Sequence, residues 1–198
     1  MKEVFLEGDF SRFKRQDLDR ARGSITESYV QRSNGYMTFS AKMPTVFISH
    51  KHDDLDDLKG IIGFLEDEYK VKCYIDSKDK SMPNITSGET ATKLKDRIKS
   101  CDKFILLASN NAVDSKWCNW ELGYGDAQKF KDHIALLPFR RTNETYKGNE
   151  YMEIYPHIVK VDAYSYISGK WVTSGYYVCE SIGKDQNNLI SLKDWLYR

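Results

Sequence analysis

The chain has 198 residues, and its 30 basic residues almost balance its 29 acidic residues, which leaves a formal net charge of +1. This balance excludes a strong overall attraction to nucleic acid or to an anionic membrane, so a charged ligand must be bound by local groups. The length fits one domain of ordinary size that carries an extension.

The four cysteines lie far apart in the sequence and form no Cys-x-x-Cys pair, which argues against a zinc knuckle and against a disulfide framework. They are Cys73, Cys101, Cys118 and Cys179. The N-terminus lacks the apolar run of a signal peptide, and no window approaches the ~18 apolar residues of a membrane span. We therefore expect a soluble, cytoplasmic protein whose cysteines are reduced.

Residues 1–42 are interpreted as an N-terminal extension of uncertain structure, ahead of an organised domain at 43–198. The charged stretch at 11–22 fits a short helix or a solvated arm equally well. Asn34 and Gly35 predict a turn, and residues 36–39 predict a short strand after it. This extension contains no obvious catalytic unit.

Apolar and β-branched runs alternate with helical periodicity from Thr45 onward. The runs predict strands at 45–48, 71–75, 103–108 and 134–139, with a possible fifth at 158–161. Helical spacing predicts helices at 53–69, 88–100 and 114–130, and a closing helix at 188–197. Strands that alternate with helices predict an α/β domain in which a parallel sheet carries helices on both faces.

The predicted helix at 114–130 places a carboxylate next to several aromatic side chains. Asp114 and Ser115 are good N-caps. Aromatic and small residues recur at steps of three and four and predict one buried face, formed by Trp117, Trp120, Tyr124 and Ala127. Glu121 lies one turn beyond Trp117, so its carboxylate is expected at the border of the aromatic stripe. In the simplest interpretation Glu121 is only a boundary residue of an amphipathic helix.

Two glycines in this helix, Gly123 and Gly125, each cost it about 1 kcal/mol relative to alanine. Such a cost is best explained if a neighbouring element packs closely against the helix at these positions.

Loops are the expected location of a site, because an open parallel sheet binds ligands at the carboxyl ends of its strands. Three loops follow predicted strands, at 49–54, 76–87 and 109–116. The fold therefore brings three distant stretches of sequence to one edge of the sheet.

Four short motifs resemble the TIR (Toll/interleukin receptor) domain family, in particular its bacterial members. They are Val46-Phe-Ile-Ser-His50, Cys73-Tyr-Ile-Asp76, Cys101-Asp-Lys-Phe-Ile-Leu-Leu-Ala-Ser109 and Ser115-Lys-Trp-Cys-Asn-Trp-Glu121. They occur in family order across residues 45–140, whereas the extension and residues 141–198 carry little of the resemblance. The resemblance implies a TIR domain at 43–198, with a flavodoxin-like three-layer fold around a mainly parallel five-stranded sheet.

The resemblance also implies an enzyme that cleaves NAD+ between nicotinamide and ribose. In enzymatic TIR domains the glutamate of a Trp-x-x-x-Glu pattern is catalytic, and here that glutamate is Glu121. Nicotinamide leaves as a neutral molecule, so one carboxylate beside the developing ribose cation is enough. Trp117 can stack on a ring of the substrate and exclude water. The resemblance thus implies NAD+ as the substrate and no further cofactor.

Other family positions that line the substrate cleft correspond to His50, Lys51 and Asp76. Enzymatic relatives often carry an aromatic residue and an arginine at the first two of these positions, so His50 and Lys51 match only approximately. Lys51 also fits a solvated loop charge, and Asp76 also fits a capping carboxylate.

The resemblance further implies self-association through the BB loop at residues 77–87, where Lys78, Lys80 and Pro83 are expected to be exposed. Stand-alone bacterial relatives of the Thoeris type make a cyclic ADP-ribose isomer for a separate effector protein in anti-phage defence. We therefore expect either that product or linear ADP-ribose. Aromatic side chains that could fold the nucleotide back on itself are Trp117, Trp120, Tyr124, Tyr164, Tyr166, Trp171, Tyr176 and Tyr177.

Two other classes of function stay open. A TIR domain can act as a non-catalytic scaffold through TIR–TIR association. His50 and His52 also resemble the first ligands of the metal loop of metallo-β-lactamase-type hydrolases, which would bind zinc. That match lacks its final histidine, which is Leu55 here, and it requires a fold of two β-sheets, so no metal site is predicted.

Overall fold

The structure is a computed structural model that describes residues 1, 3–14, 43–75, 88–129, 131–167, 169–183 and 186–198. Several expectations lie outside these residues. They are the turn at Asn34 and Gly35, the strand at 36–39, most of the charged stretch at 11–22, Asp76 and the BB loop at 77–87.

The described residues form ten strands, five α-helices and four short 3₁₀ helices. The strands are β1 (Phe5–Leu6), β2 (Thr45–Ser49), β3 (Lys72–Tyr74), β4 (Lys103–Ala108), β5 (Ile134–Arg140), β6 (His157–Val161), β7 (Ser165–Ile167), β8 (Lys170–Val172), β9 (Gly175–Gly183) and β10 (Gln186–Ser191). The helices are α1 (Leu55–Tyr69), α2 (Gly88–Ser100), α3 (Asn110–Val113), α4 (Lys116–Lys129) and α5 (Leu192–Tyr197). None of these helices has the length and apolar character needed to cross a membrane.

The main sheet has the strand order β10-β9-β6-β5-β4-β2-β3. Its five central strands, β2 to β6, pair in parallel, which confirms the predicted α/β fold with a mainly parallel sheet. The sheet is larger than the predicted five strands. The antiparallel strands β9 and β10 extend it beyond β6, and β1 pairs in parallel with the end of β5.

Alternation along the central strands divides the core into two layers. In β2, Val46 and Ile48 join the layer that contains α1 and α5, whereas Phe47 joins the layer that contains α2 and α4. Strands β4 and β5 alternate in the same way. The next residue on the Phe47 face is Ser49, so the alternation directs its side chain toward the α4 layer.

The closing helix predicted at 188–197 is wrong in its first half. Residues 186–191 form β10, which pairs antiparallel with β9. The helix starts only at Leu192, because the Ser191 hydroxyl accepts a hydrogen bond from the backbone N–H of Asp194 at 3.0 Å and so caps α5. Sheet pairing therefore overrides the local helical spacing in this segment.

The buried face predicted for α4 is also wrong, by about one position. The buried residues are Cys118, Glu121, Leu122, Gly125 and Lys129. The predicted aromatic stripe lies beside this face: Trp117, Trp120 and Tyr124 are half-buried and pack against the α2 layer, and Ala127 is exposed.

Small residues allow α4 to approach the sheet closely. A Cβ atom at Gly125 would lie 3.1 Å from a ring carbon of Phe104, whereas one at Gly123 would meet nothing within 4 Å. The close packing that the sequence led us to expect is therefore present at Gly125 and absent at Gly123.

The described part of the N-terminal extension packs onto α1. Phe5 and Phe10 are buried in the core, and the Phe10 ring lies 5.0 Å from the ring of Phe64. A Cβ atom at Gly63 would lie only 2.0 Å from the carbonyl oxygen of Phe13. Glycine is therefore required for this contact between α1 and the N-terminal segment.

Two lysines are buried at the opposite, amino-terminal edge of the sheet. Lys103 is 0% exposed, with its Nζ 3.0 Å from His133 Nδ1 and 4.9 Å from the centre of the Trp195 ring. Lys129 donates a hydrogen bond to the carbonyl oxygen of Cys101. Burial, followed by repulsion from Arg198, lowers the pKa of Lys103 to about 8.

The Lys103 pKa predicts a pH-dependent stability difference between the wild type and Lys103→Met. Between pH 8 and the ordinary lysine value of 10.5, folded Lys103 has lost its proton while unfolded Lys103 keeps it. The cost of burying the charge is therefore fully present at pH 7 and is relieved as the pH rises. We expect the free energy of unfolding of Lys103→Met, relative to wild type, to fall by about 2 kcal/mol between pH 7.5 and 10. Urea unfolding measures this, and a constant difference would contradict it.

Candidate active site

Glu121 is almost fully buried, because only 1% of its surface is exposed. It lies on the inward face of α4, and its Oε2 atom accepts a hydrogen bond from the hydroxyl of Ser49, which is also 1% exposed. Its other oxygen, Oε1, is shielded from solvent as well. A buried carboxylate is costly unless polar groups surround it, so this hydrogen bond offsets part of the cost.

The sequence explains why these two side chains meet. Ser49 is the last residue of β2 and lies two positions after Phe47, so it points to the same layer. Glu121 lies one turn after Cys118 on the buried face of α4. The site therefore forms at the carboxyl edge of the parallel sheet, where ligands bind in this class of fold.

Helix α4 also carries an aromatic ladder. The ring centres of Trp117 and Trp120 are 4.9 Å apart with 28° between the ring planes, and those of Trp120 and Tyr124 are 6.0 Å apart with 16° between them. The Lys95 ammonium lies 5.8 Å and 5.5 Å from the centres of the last two rings. Trp117 lies one turn before Glu121 and Tyr124 lies one turn after it, so both ends of the ladder neighbour Glu121 along the helix.

The other expected cleft residues differ in their placement. His50 directly follows Ser49 and is 6% exposed, with its Nδ1 atom 3.4 Å from the carbonyl oxygen of Ile48. Lys51 is half-buried, and His52 is exposed at the start of a 3₁₀ turn. Asp76 lies outside the described residues. Of these residues, His50 is therefore the one that directly follows Ser49 in the chain.

A second serine–carboxylate pair lies at the same edge. The hydroxyl of Ser109, the residue after β4, donates to Asp54 Oδ2 at 2.5 Å and accepts from the backbone N–H of Ala112 at 3.0 Å. Asp54 is 2% exposed, and Arg141 Nη2 lies 3.9 Å from its Oδ1. Burial raises the pKa of Asp54, against the opposing effects of Ser109 and Arg141.

Sequence reasoning named the loops that hold these groups but missed both serine contacts. A signal for Ser49 was available, because a polar residue two positions after a core phenylalanine on a strand must face the core. Its partner could not be found in this way, since Glu121 is 72 residues away. No local spacing signals Ser109 and Asp54 as a pair, because they are 55 residues apart.

The aromatic run near the C-terminus is divided between two environments. Tyr164, Tyr166 and Trp171 are exposed on the β7–β8 hairpin, where the rings of Tyr164 and Trp171 stack with their centres 4.7 Å apart. Tyr176 instead packs on Phe64 in the α1 layer, with ring centres 4.5 Å apart. These side chains therefore do not form one continuous stacking surface.

The described part of the chain does not show the ligand cluster of a zinc hydrolase. Within residues 1, 3–14, 43–75, 88–129 and the other described segments, no three His, Cys, Asp or Glu side chains are placed to bind one metal ion. The described residues form one large, mostly parallel sheet and a small two-stranded sheet of β7 and β8, which differs from the fold that the metallo-β-lactamase interpretation of His50 and His52 requires.

Comparison with known proteins assigns the family. The profile of the TIR domain family matches residues 46–167. The chain therefore belongs to the TIR domain family, and the resemblance noted in the sequence is confirmed.

One relative comes from Bacillus cereus (strain MSX-D12) and bears the name "Probable 3' cyclic ADP-D-ribose synthase ThsB'". It is 35% identical to this chain over 124 residues, which are 60% of this chain and 62% of the relative. The match thus spans less than two thirds of the relative's length. A crystal structure of a prokaryotic SEFIR domain is also similar, with a TM-score of 0.40 and 14% identity over 55% of this chain and 76% of that one. These last values are too low to support an argument.

Proposed function

We propose that this protein is an enzyme that breaks the bond between nicotinamide and ribose in NAD+, with Glu121 as its catalytic residue. The observation that carries the proposal is the buried Glu121 carboxylate, held by Ser49 at the carboxyl edge of the sheet and one turn from Trp117. The relative from Bacillus cereus supports the same chemistry, because its name assigns it a product that contains ADP-ribose.

The proposed reaction needs a single negative charge. As the bond between C1′ and the nicotinamide nitrogen breaks, its electron pair moves to that nitrogen, and the cationic ring leaves as neutral nicotinamide. The positive charge passes to the ribose, which becomes an oxocarbenium ion. The Glu121 carboxylate stabilises this cation, and its effect is stronger because the site excludes water. The leaving group takes no proton, so no general acid and no separate cofactor are required.

Substrate binding is proposed to involve Trp117, His50, Lys51 and Asp76. Trp117 offers a half-buried ring for stacking, and Lys51 offers a positive charge for the phosphates. A cavity of about 300 Å³ between the N-terminal segment and α1 is a poor alternative. Its lining contains four acids (Glu7, Asp53, Asp56 and Asp57) against two basic residues (Lys14 and Arg141), and this excess of negative charge disfavours an anionic dinucleotide.

Replacement of the catalytic carboxylate tests the proposal. We expect Glu121→Gln to reduce nicotinamide release from NAD+ by at least about 100-fold, because the amide has the same shape but lacks the charge. The matched control is Asp126→Asn, which removes an exposed acid from the same helix and should keep wild-type activity. Chromatography of nicotinamide, with circular dichroism to verify folding, gives the result. A folded Glu121→Gln protein with wild-type turnover would remove Glu121 from its proposed role.

The product is proposed to be a cyclic ADP-ribose isomer that acts as a messenger for a separate effector protein. After nicotinamide leaves, either water or a nucleophile of the same nucleotide captures the ribose cation. Capture within the molecule gains a large effective concentration when the nucleotide is folded back on itself. The name of the Bacillus cereus relative supports the cyclic outcome.

Mass spectrometry with retention-time standards distinguishes the two products. We expect a cyclic isomer, lighter than ADP-ribose by one water molecule, as a product of the wild-type reaction. Linear ADP-ribose as the sole product would contradict the messenger role and leave NAD+ cleavage intact.

Activity is further proposed to depend on self-association through the BB loop at residues 77–87. The motivating observation is the burial of Glu121, since a carboxylate that is 1% exposed can touch a ribose only after the groups that cover it move. Contact with a second copy of the chain is proposed to drive this opening. We expect specific activity to rise with protein concentration. Flat specific activity across dilutions that span monomer and oligomer, measured by light scattering, would count against this dependence.

A further inference from the structure

We infer that Ser49 is a positioning residue for Glu121, one that holds the reactive carboxylate in place without touching the substrate. This inference rests on the proposed function of the same site. Its basis is the hydrogen bond from the Ser49 hydroxyl to Glu121 Oε2, formed between two side chains that are each 1% exposed.

The surroundings make this hydrogen bond strong and directional. A hydroxyl that donates to a carboxylate forms a charge-assisted hydrogen bond, and the low dielectric of the core strengthens it. Since the hydrogen bond occupies one carboxylate oxygen, it restricts rotation of the flexible glutamate side chain about its long axis. The second oxygen, Oε1, is thereby held in a defined direction.

The rigidity of the strand that carries Ser49 matters as much for the alignment of the Glu121 carboxylate as the hydrogen bond itself. Ser49 belongs to β2, which pairs with β3 on one side and with β4 on the other, and Ser49 itself aligns with Leu106 of β4. The hydroxyl therefore sits on a strand that is hydrogen-bonded into the sheet, whereas the Glu121 side chain extends from a helix. A carboxylate that stabilises a ribose cation must be held within a fraction of an ångström, and the sheet supplies that fixed point.

The second serine–carboxylate pair provides an internal control. Ser109 follows the neighbouring strand β4 and is 4% exposed, and it donates to Asp54, which is 2% exposed. The two pairs share chemistry, burial and position at the carboxyl edge. They differ in the role of the carboxylate, because Asp54 has no part in the proposed reaction, and in the cap that the Ser109 hydroxyl supplies to α3. Ser109→Ala therefore removes a comparable buried hydrogen bond, together with a helix cap, from a carboxylate outside the proposed reaction.

The test compares Ser49→Ala, Ser49→Thr and Ser109→Ala in the full chain, with kcat and KM for NAD+ and the Tm of each variant. We expect Ser49→Ala to lower kcat by about 10- to 100-fold, because the carboxylate loses its alignment. Its KM should change by less than about twofold, since Ser49 does not bind the substrate. Ser49→Thr should restore most of the activity because it keeps the hydroxyl. Ser109→Ala should lower the Tm and keep kcat.

A measurement made without NAD+ tests this inference independently of the proposed function. The carboxyl-carbon NMR signal of Glu121, identified by its loss in Glu121→Gln, should shift in Ser49→Ala and stay in place in Ser109→Ala. If the wild type does not cleave NAD+, the proposed function fails and the NMR signal still reports whether Ser49 holds Glu121. A Ser49→Ala protein with wild-type kcat, or with an unmoved Glu121 signal, would overturn the inference.

Discussion

The hydrogen bond between Ser49 and Glu121 is the interaction on which the proposed chemistry depends. Burial of a carboxylate that is only 1% exposed carries a large desolvation cost. In this fold that costly burial occurs at the edge of the sheet where ligands bind. Two patterns make the contact possible. Strict alternation along β2 turns Ser49 toward the α4 layer, and Gly125 lets α4 approach the sheet closely, which brings Glu121 within reach of Ser49.

Buried polar groups are arranged with opposite signs at the two edges of the sheet. The carboxyl edge holds the carboxylates Glu121 and Asp54, each bonded to a serine that ends or follows a strand. The amino edge holds Lys103 and Lys129, which interact with His133 and with the carbonyl oxygen of Cys101. A cationic intermediate is favoured at the first edge and disfavoured at the second, so the charge pattern agrees with a ribose cation at Glu121.

The order of strands and helices was predictable from sequence because the central strands are buried on both faces and read as continuous apolar runs. The buried face of α4 was not predictable in this way. Two sets of residues on α4 have the spacing of a buried helix face. One is the aromatic set of Trp117, Trp120 and Tyr124, and the other is the smaller set of Cys118, Glu121, Leu122 and Gly125. Hydrophobicity alone predicts that the aromatic set is the buried one. Close packing against the sheet instead buries the smaller set, since Gly125 already lies close to the Phe104 ring. The segment at 186–191 became a strand through its pairing with β9. Long-range contacts thus determined what local periodicity could not.

The most direct test of the account is a crystal structure of the full chain with an NAD+ analogue in which a methylene group replaces the oxygen of the nicotinamide ribose ring. Such an analogue cannot form the oxocarbenium ion and should stay intact in the site. The account predicts that the C1′ atom of that ribose lies within about 4 Å of the Glu121 carboxylate, with Ser49 still bonded to its other oxygen. An analogue bound in the acid-lined cavity beside α1, with Glu121 still covered, would contradict it.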